Sequence, residues 1–362
     1  MAQSDEHWLA RSDRPLCEVY DTGMFDLDGV VYVGRHAVPG APEWMAEAAA
    51  AGMHLAFVTN NASRPPRVVA AHLRELGVPA RDTDVVTSAQ ATARLVKGLV
   101  PAGAAVLVVG GDGLVEALAE HGLRSVDTLD AGAEAVVQGF GREVGWRGLA
   151  EAVAAVDAGL PWVASNLDLT IPTPRGRAPG NGQLVEVVAR TTGHRPLVAG
   201  KPERPLFDET VRRVGGQRPL VIGDRLDTDI EGASRSGLDS LLVLTGVTGV
   251  AELAAAAPTQ RPTYLSHDLA GLLASHPAAE PGGDGGRWCC GSWEAYVDQD
   301  GNPHLRADDG SPAGDDALRA LVAACWAHQD HHGVRIADTP VSAAWRAARA
   351  SATTATVERD QQ

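Results

Sequence analysis

The chain has few cysteines and no long apolar run, and each scarcity excludes a class of protein. Its four cysteines, Cys17, Cys289, Cys290 and Cys325, have no repeated spacing, so neither a disulfide framework nor a paired metal-cysteine motif is indicated. No apolar stretch approaches the roughly 20 residues of a membrane-spanning helix. Met1 to Arg14 is polar and lacks the apolar segment of a secretory signal. We therefore expect a cytoplasmic protein with free thiols.

The charge balance is acidic, and this limits the partners. The 362 residues include 31 Lys and Arg against 46 Asp and Glu, a formal net charge of −15. Such a charge disfavours nucleic acid and anionic membranes as partners. The hydrophobic content of 44% is that of a globular protein, and the length predicts two or three domains. If the substrate is an anion, a bound Mg²⁺ and a well-placed lysine would have to supply local positive charge.

Apolar strands alternate with helices over most of the chain. Residues 15–87 and 195–280 are predicted to be two halves of one α/β core, a Rossmann-like doubly wound parallel sheet. Residues 88–194 repeat the pattern and are predicted to be an inserted α/β domain. Within it, Ile171 to Gly182 is rich in Pro, Gly and Arg and is predicted to be a loop.

The region after residue 280 is predicted to be a small α+β extension, residues 287–348. The Pro-Gly-Gly-Asp-Gly-Gly stretch at 281–286 is typical of a linker. Beyond it, Trp288 to Val297 is predicted to be part of a hairpin and Asp315 to His328 a helix. These elements are too few to bury a core of their own. We therefore expect the extension to pack on the core or on a partner subunit, without catalytic residues.

Two carboxylates stand where an apolar strand ends. Asp26 and Asp28 are two residues apart, so on a strand end both side chains project to the same face. Asp26, held against a cation, stays ionised and can attack a phosphorus atom. Asp28, when protonated, can protonate a departing alkoxide and then accept a proton from water. The alternative is that Asp-Leu-Asp-Gly is only a surface turn.

Two further segments can hold a phosphate. Thr59 ends another apolar strand, and its hydroxyl and the backbone N–H groups of Asn60 and Asn61 can bind phosphate oxygens. Lys201 lies in a Gly-Lys-Pro loop, from which it can neutralise both the phosphate and Asp26. Taken alone, each segment has a plainer interpretation, a strand-ending Asn turn and a solvated surface lysine.

A third strand end completes a set of oxygen ligands for a cation. Asp224 follows Leu-Val-Ile-Gly, and with Asp26 and the main-chain carbonyl of Asp28 it makes an oxygen-rich set suited to Mg²⁺. Asp229 opens the next helix. It is predicted to orient Lys201 or a metal-bound water, and the alternative is a favourable charge at a helix N-terminus.

Four motifs occur in an order that identifies a family resemblance. Asp-Leu-Asp-Gly at 26–29, Val-Thr-Asn-Asn at 58–61, Gly-Lys-Pro at 200–202 and Gly-Asp-Arg-Leu-Asp-Thr-Asp-Ile at 223–230 resemble motifs I to IV of the haloacid-dehalogenase superfamily. The block between the second and third motifs resembles the C2-type cap of subfamily IIA, the nagD-like phosphatases. The resemblance implies Mg²⁺-dependent hydrolysis of a phosphomonoester through an aspartyl phosphate.

The resemblance also implies a role for each motif residue. Asp26 resembles the nucleophile and Asp28 the acid and base. Thr59, Asn60 and Lys201 are implied to bind the phosphate, and Asp224 is implied to bind the metal. The cap residues implied to face the substrate are Asn166, Asp168 and Asn181. The cap is implied to be mobile or dimer-associated, so a homodimer is expected. The expected small-molecule partner is a phosphorylated metabolite.

The extension narrows the resemblance further. A core, a C2 cap and such a tail are similar to actinobacterial-type glycerol-3-phosphate phosphatases, in which the tail resembles an acetyltransferase fragment. Residues 285–362 lack the glycine-rich pyrophosphate loop of acetyltransferases, so acetyl transfer is not expected. Glycerol 3-phosphate is expected first, and 2-phosphoglycolate, pyridoxal phosphate, nucleotides and sugar phosphates are alternatives. A phosphomutase or a catalytically idle binding protein is the other option, and the intact aspartates and lysine count against the idle protein.

Overall fold

The computed structural model describes residues 8–173, 175–283, 286–307 and 311–359. They divide into two compact units. The central unit comprises Thr22–Ala37 and His54–Pro219, and the terminal unit comprises the described residues of Met1–Asp21, Val38–Met53 and Leu220–Gln362. Both contain parallel strands and helices, which confirms the predicted α/β class. Among these residues, each helix is too short or too polar to cross a bilayer.

Three parallel strands of the central unit carry the first two motifs. Thr22–Phe25 pairs with His54–Thr59, and His54–Thr59 pairs with Val85–Thr87. The first strand is entirely buried, as are the last five residues of the second. Parallel strands covered on both faces read as such apolar runs. A short hairpin, Tyr32–Val33 with His36–Ala37, follows the first strand.

Local signals in the sequence explain where the helices of this unit begin and end. Pro66–Glu75 is followed by Gly77 with φ 85°, the left-handed conformation that glycine adopts most easily. Ser88–Lys97 begins with a capping box, in which the side chains of Thr87 and Gln90 accept each other's backbone N–H. The other helical elements here are Asp112–Glu120, Trp146–Asp157, Asn181–Thr192 and Pro205–Val214, with 3₁₀ turns at Asp82–Asp84 and Leu129–Ala131.

The block predicted to be inserted, residues 88–194, contains four strands of a five-stranded parallel sheet, and the fifth strand, Leu197–Val198, follows this block. The strands of this sheet lie in the order Leu197–Val198, Trp162–Ala164, Ala133–Gln138, Ala105–Val109 and Arg124–Val126. Buried side chains such as Leu107, Val136 and Val185 form the apolar cluster beside this sheet. The exact domain boundaries remain a prediction.

The loop predicted for Ile171 to Gly182 is wrong. Thr170–Thr173 and Gly176–Pro179 form an antiparallel hairpin, and the next helix already begins at Asn181. The Thr173 hydroxyl donates to the carbonyl of Gly176 at 2.6 Å, and Gly176 takes a φ of 103°. Prolines are tolerated because both strands of a two-stranded ribbon are edge strands.

The terminal unit carries the fourth motif on parallel strands. Pro219–Gly223 pairs with Asp239–Val243, which pairs with Tyr264–Ser266. The helix predicted at 229–236 begins as a wide π-type turn, Leu226–Ile230, and continues as Glu231–Ser236. The other helical elements in this part are Leu16–Val19, Ala41–Ala50 and Val250–Ala254, with 3₁₀ turns at Pro258–Gln260 and Leu269–Leu273.

The C-terminal region forms a four-stranded antiparallel sheet and two helices. The strands are Glu280–Pro281, Arg287–Cys290, Trp293–Val297 and Pro303–Ala307, in that spatial order, and the helices are Asp315–His332 and Asp338–Arg359. The predicted hairpin is confirmed. The stretch predicted to be a linker instead joins two paired strands, and the Gly282 N–H donates to the Arg287 carbonyl at 2.8 Å.

The C-terminal region shares one apolar cluster with the rest of the terminal unit. The cluster joins fully buried residues from both parts, Leu318, Leu321 and Trp326 with Leu242, Leu253 and Leu265. This confirms that the extension packs on the core. The Arg261 guanidinium lies 5.2 Å from the Trp326 ring centroid and donates two 2.6 Å hydrogen bonds to Asp330.

Candidate active site

The structure brings the predicted nucleophile and the predicted phosphate-neutralising lysine together. Asp26 follows the strand Thr22–Phe25, and the Lys201 ammonium donates to its Oδ1 at 2.5 Å. The same ammonium donates to the Val58 carbonyl at 3.4 Å. Burial raises the pKa of Asp26 above its ordinary value, and the charge of Lys201 opposes that rise. A lysine that is only 4% exposed is thus held against a carboxylate, as a shared phosphoryl site requires.

Asp28 lies in a tight turn, and the charge of Arg64 acts on it in addition to the charge of Lys201. Gly29 has a φ of 89°, and its N–H donates to the Tyr32 carbonyl at 2.8 Å, which folds the chain back. Desolvation by the surrounding protein raises the pKa of Asp28, while the positive charges of Arg64 and Lys201 lower it. A raised pKa extends the range over which Asp28 is protonated, which suits a proton donor.

Arg64, which was not among the predicted site residues, acts electrostatically on the predicted acid and base, Asp28. Its side chain hydrogen-bonds to Tyr32, and its charge acts on both Tyr32 and Asp28. Tyr32 is buried, and this burial raises the pKa of its hydroxyl. The sequence signal that could have indicated Arg64 is its position, five residues after Thr59 in the same loop as the second motif.

The turn after Thr59 is stabilised by its own side chains. The Asn61 N–H donates to Thr59 Oγ1 at 3.1 Å, and Asn61 Oδ1 accepts from the N–H and hydroxyl of Ser63 at 2.8 Å each. The Asn61 side chain therefore stabilises a local Asn turn. Donation by the Asn61 N–H to a phosphate would have to share or replace its bond to Thr59.

The Asn60 carboxamide binds the backbone of Lys201. Asn60 Oδ1 accepts from the Lys201 N–H at 2.8 Å, and Asn60 Nδ2 donates to the Lys201 carbonyl at 3.1 Å. These two bonds resemble one rung of a β-ladder made by a side chain. They connect the loop of the second motif with the loop of the third.

The three predicted cap residues lie together and contact Asn60 or one another. Asn166 Nδ2 donates to the Asn60 carbonyl at 2.7 Å, and Asn60 Nδ2 donates to Asp168 Oδ1 at 3.2 Å. Asn181 Nδ2 donates to the Asn166 carbonyl at 2.7 Å. Asn166 and Asn181 are buried. Their predicted contact with a substrate remains a prediction.

Two aspartates of the fourth motif, the predicted metal ligand Asp224 and the predicted orienting residue Asp229, belong to the terminal unit. Asp224 is fully buried after the strand Pro219–Gly223, and its Oδ2 accepts from the Val247 N–H at 2.6 Å. Asp229 is also buried, and its carboxylate accepts from the Arg225 N–H at 3.2 Å. Carboxylate oxygens of the two aspartates lie within 4.8 Å of each other.

Two glycines make room for these carboxylates. A Cβ atom on Gly246 would lie 1.9 Å from Asp224 Oδ2, and one on Gly223 would lie 2.2 Å from Asp229 Cβ. Two buried carboxylates this close together repel each other unless a cation or a proton compensates them. Hard oxygen donors in such a setting fit Mg²⁺.

Comparisons with known proteins agree with the motifs. The haloacid dehalogenase-like hydrolase model matches residues 23–124, and a second, HAD-hydrolase-like model matches residues 198–272. A D-glycerol 3-phosphate phosphatase of Mycobacterium tuberculosis is 47% identical over 259 residues, which are 72% of this chain and 72% of that protein. An acid sugar phosphatase of Staphylococcus haemolyticus is 35% identical over 252 residues, 69% of this chain and 94% of its own length.

Solved structures give the same result. The glycerol phosphate phosphatase of Mycobacterium tuberculosis in complex with magnesium matches with a TM-score of 0.78 and 43% identity, covering 86% of this chain and 92% of that one. A p-nitrophenyl phosphatase from Archaeoglobus fulgidus matches with a TM-score of 0.65 and 28% identity, covering 70% and 98%. These relatives are all phosphatases, which confirms the predicted enzyme class. The chain belongs to the haloacid dehalogenase-like hydrolases, as its motifs predicted.

Proposed function

We propose that this phosphatase acts on small phosphomonoesters with Mg²⁺ and that glycerol 3-phosphate is its substrate. The observation that carries the proposal is the pair of the half-buried Asp26 and the buried Lys201, with 2.5 Å between Oδ1 and Nζ. Such a pair offers a nucleophile and a compensating charge to one phosphoryl group. The choice of glycerol 3-phosphate is supported by the 47% identity to the D-glycerol 3-phosphate phosphatase of Mycobacterium tuberculosis.

The aspartates of the first motif perform the two chemical steps of this proposal. Asp26 attacks the phosphorus, and the bond from phosphorus to the ester oxygen breaks. Asp28 gives its proton to the departing alkoxide, so that glycerol leaves as a neutral alcohol. A water then loses a proton to Asp28 and cleaves the phosphate from Asp26. Lys201 neutralises the negative charge shared by Asp26 and the phosphoryl oxygens, and Thr59 offers its hydroxyl to one of them.

We propose that Asp26, the main-chain carbonyl of Asp28 and Asp224 hold the Mg²⁺, with Asp229 orienting the site. When bound, the ion reduces the repulsion between the attacking carboxylate and the phosphate. The motif order supports this set, as does the magnesium complex of the relative from Mycobacterium tuberculosis. The buried carboxylates of Asp224 and Asp229 fit a cation for the reasons given above.

A panel of phosphate esters tests the proposal. The purified protein is assayed with Mg²⁺ on glycerol 3-phosphate, 2-phosphoglycolate, pyridoxal phosphate, a nucleotide and a sugar phosphate. We expect the highest kcat/KM on glycerol 3-phosphate, and we expect its loss on chelation of the metal. Preference for another ester would refute only the substrate, whereas no turnover of any ester would refute the proposed activity.

Asp26→Asn tests the covalent step. The variant keeps the size of the side chain but lacks the carboxylate nucleophile, so turnover of every ester should be lost while the circular dichroism spectrum is unchanged. Asp157→Asn, at an exposed position that ends the helix Trp146–Asp157, is the matched control and should keep wild-type activity. Full turnover by folded Asp26→Asn would exclude the mechanism.

We also propose a homodimer, which light scattering tests directly.

A further inference from the structure

The position of the Lys201 ammonium depends on the loop that carries it. Two of its acceptors, Asp26 Oδ1 at 2.5 Å and the Val58 carbonyl at 3.4 Å, lie at or beside the ends of buried strands. The sheet holds these two acceptors in place, and the backbone of Lys201 has to bring the ammonium to them. In enzymes, a misplacement of about 1 Å in a catalytic group can cost about a hundredfold in rate.

Asn60 fixes that backbone on both sides. The Lys201 N–H and carbonyl both bond to the Asn60 carboxamide, at 2.8 and 3.1 Å. The approach is so close that a Cβ atom on Gly200 would lie 2.6 Å from Asn60 Oδ1 and 2.4 Å from the Ser165 carbonyl. Glycine before Lys201 is therefore required by this packing.

The orientation of Asn60 is in turn set by the inserted block. Asn60 Nδ2 has two hydrogens and two acceptors, the Lys201 carbonyl and Asp168 Oδ1 at 3.2 Å. Because the acceptors lie on different segments, the carboxamide is held in one orientation. The Asn60 carbonyl also accepts from Asn166 Nδ2 at 2.7 Å, and Asn166 Oδ1 accepts from the Asp168 N–H at 3.1 Å.

We propose that Asp168 is a positioning residue for Lys201 and acts through Asn60. Removal of the Asp168 carboxylate would free the Asn60 carboxamide to turn and loosen its bonds to the Lys201 backbone. This inference rests on the proposed function, because it assigns Lys201 to the phosphoryl group. It differs from the expectation that Asp168 touches the substrate, since a positioning residue affects the group that all substrates share.

Two substitutions of Asp168 separate these roles. Asp168→Ala removes the acceptor, and we expect kcat/KM to fall about ten- to a hundredfold. The fall should be equal on glycerol 3-phosphate and p-nitrophenyl phosphate, because only the phosphoryl group is common to both. Asp168→Asn keeps an acceptor oxygen for Asn60 and loses only the charge, so it should retain most of the activity. The exposed Asp157→Ala is the control and should match the wild type.

A spectroscopic readout tests the same idea without catalysis. The chain contains only two lysines, Lys97 and Lys201, so protein labelled with ¹⁵N in its lysines gives two side-chain signals, which Lys97→Arg assigns. We expect the Lys201 Nζ signal to move in Asp168→Ala and to stay in place in Asp168→Asn.

Three results would overturn the inference: an equal loss of activity in both Asp168 variants, a loss confined to glycerol 3-phosphate, or an unmoved Lys201 signal in Asp168→Ala. A wild-type protein that hydrolyses neither ester with Mg²⁺ would instead refute the proposed function. The nitrogen signals would still report whether Asp168 positions Lys201.

Discussion

His276 is a buried neutral histidine in the terminal unit, and we expect it to make that unit sensitive to acid. Its side chain is 1% exposed. Arg319 donates to its Nδ1 at 2.8 Å, so Nε2 carries the hydrogen and donates to the Gly271 carbonyl at 2.7 Å. Burial, and then the charge of Arg319, lower the pKa of His276 from 6.5 to about 4, against smaller opposing effects of Gly271, Asp315 and Asp316.

The sign and size of the effect follow from this pKa. In the unfolded chain His276 takes up a proton near pH 6.5, whereas in the folded chain it does so only near pH 4. As the pH falls through this window the unfolded state binds more protons, so the free energy of unfolding decreases. The full decrease is about 3 kcal/mol below pH 4, and about 2 kcal/mol is already lost between pH 7 and pH 5.

His276→Gln removes the titration while keeping both hydrogen bonds. Glutamine can accept from Arg319 through its oxygen and donate to Gly271 through its nitrogen. Urea unfolding, followed by tryptophan fluorescence at pH 7 and pH 5, should show about 2 kcal/mol less acid destabilisation in this variant. His331→Gln, at an exposed position in the same unit, should behave as the wild type. The reasoning is refuted if His276→Gln loses as much stability as the wild type.

Three further predictions follow from the site and from the terminal unit. Asp28→Asn should lower hydrolysis of glycerol 3-phosphate by about 10²- to 10⁴-fold but that of p-nitrophenyl phosphate much less, because nitrophenolate leaves without a proton; steady-state kinetics with equal losses would contradict this. Asp330→Ala should lower the free energy of unfolding by about 2 kcal/mol in urea titrations, because the buried Arg261 loses its carboxylate partner. The control Asp13→Ala, which breaks an exposed pair with Arg11, should change it by under about 0.5 kcal/mol. A chain ending at residue 283 should show low soluble yield and a lower Tm, since it exposes the shared apolar cluster; a wild-type Tm would contradict this.

The sequence predicted the positions of candidate site residues best where those residues stand at a strand end. Asp26 and Lys201 are 175 residues apart, yet their motifs predicted a common site, and the structure places them in contact. The carboxyl ends of parallel strands share one edge of a sheet, so apolar runs that stop at polar residues identify that edge. The same reasoning located Thr59 and Asp224 at the ends of their strands.

The supporting contacts of the site could not be predicted in this way. The side chain of Asn60 bonds to residues 141 and 108 positions away, and a carboxamide carries no periodic signal for distant partners. Within the part of the chain that the structure describes, the neighbouring Asn61 hydrogen-bonds to Thr59 and Ser63 of its own turn, although both residues are asparagines of the same motif. Trp146 shows a related limit: a large apolar residue suggests packing, yet this one is 83% exposed.

The C-terminal region shows why counting apolar residues in one segment understates its packing. The helix predicted at Asp315 to His328 extends to His332, and ten consecutive residues in it, from Ala317 to Trp326, are buried. The polar member of that run, Arg319, is accommodated because it donates to the Leu265 carbonyl, to His276 and to Asp316. Leu265 belongs to the strand Tyr264–Ser266, which pairs with Asp239–Val243, and Asp239–Val243 pairs with Pro219–Gly223, the strand that precedes Asp224. We therefore expect the C-terminal region to stabilise the strand that precedes Asp224, so that a segment without predicted catalytic residues can still affect the proposed site.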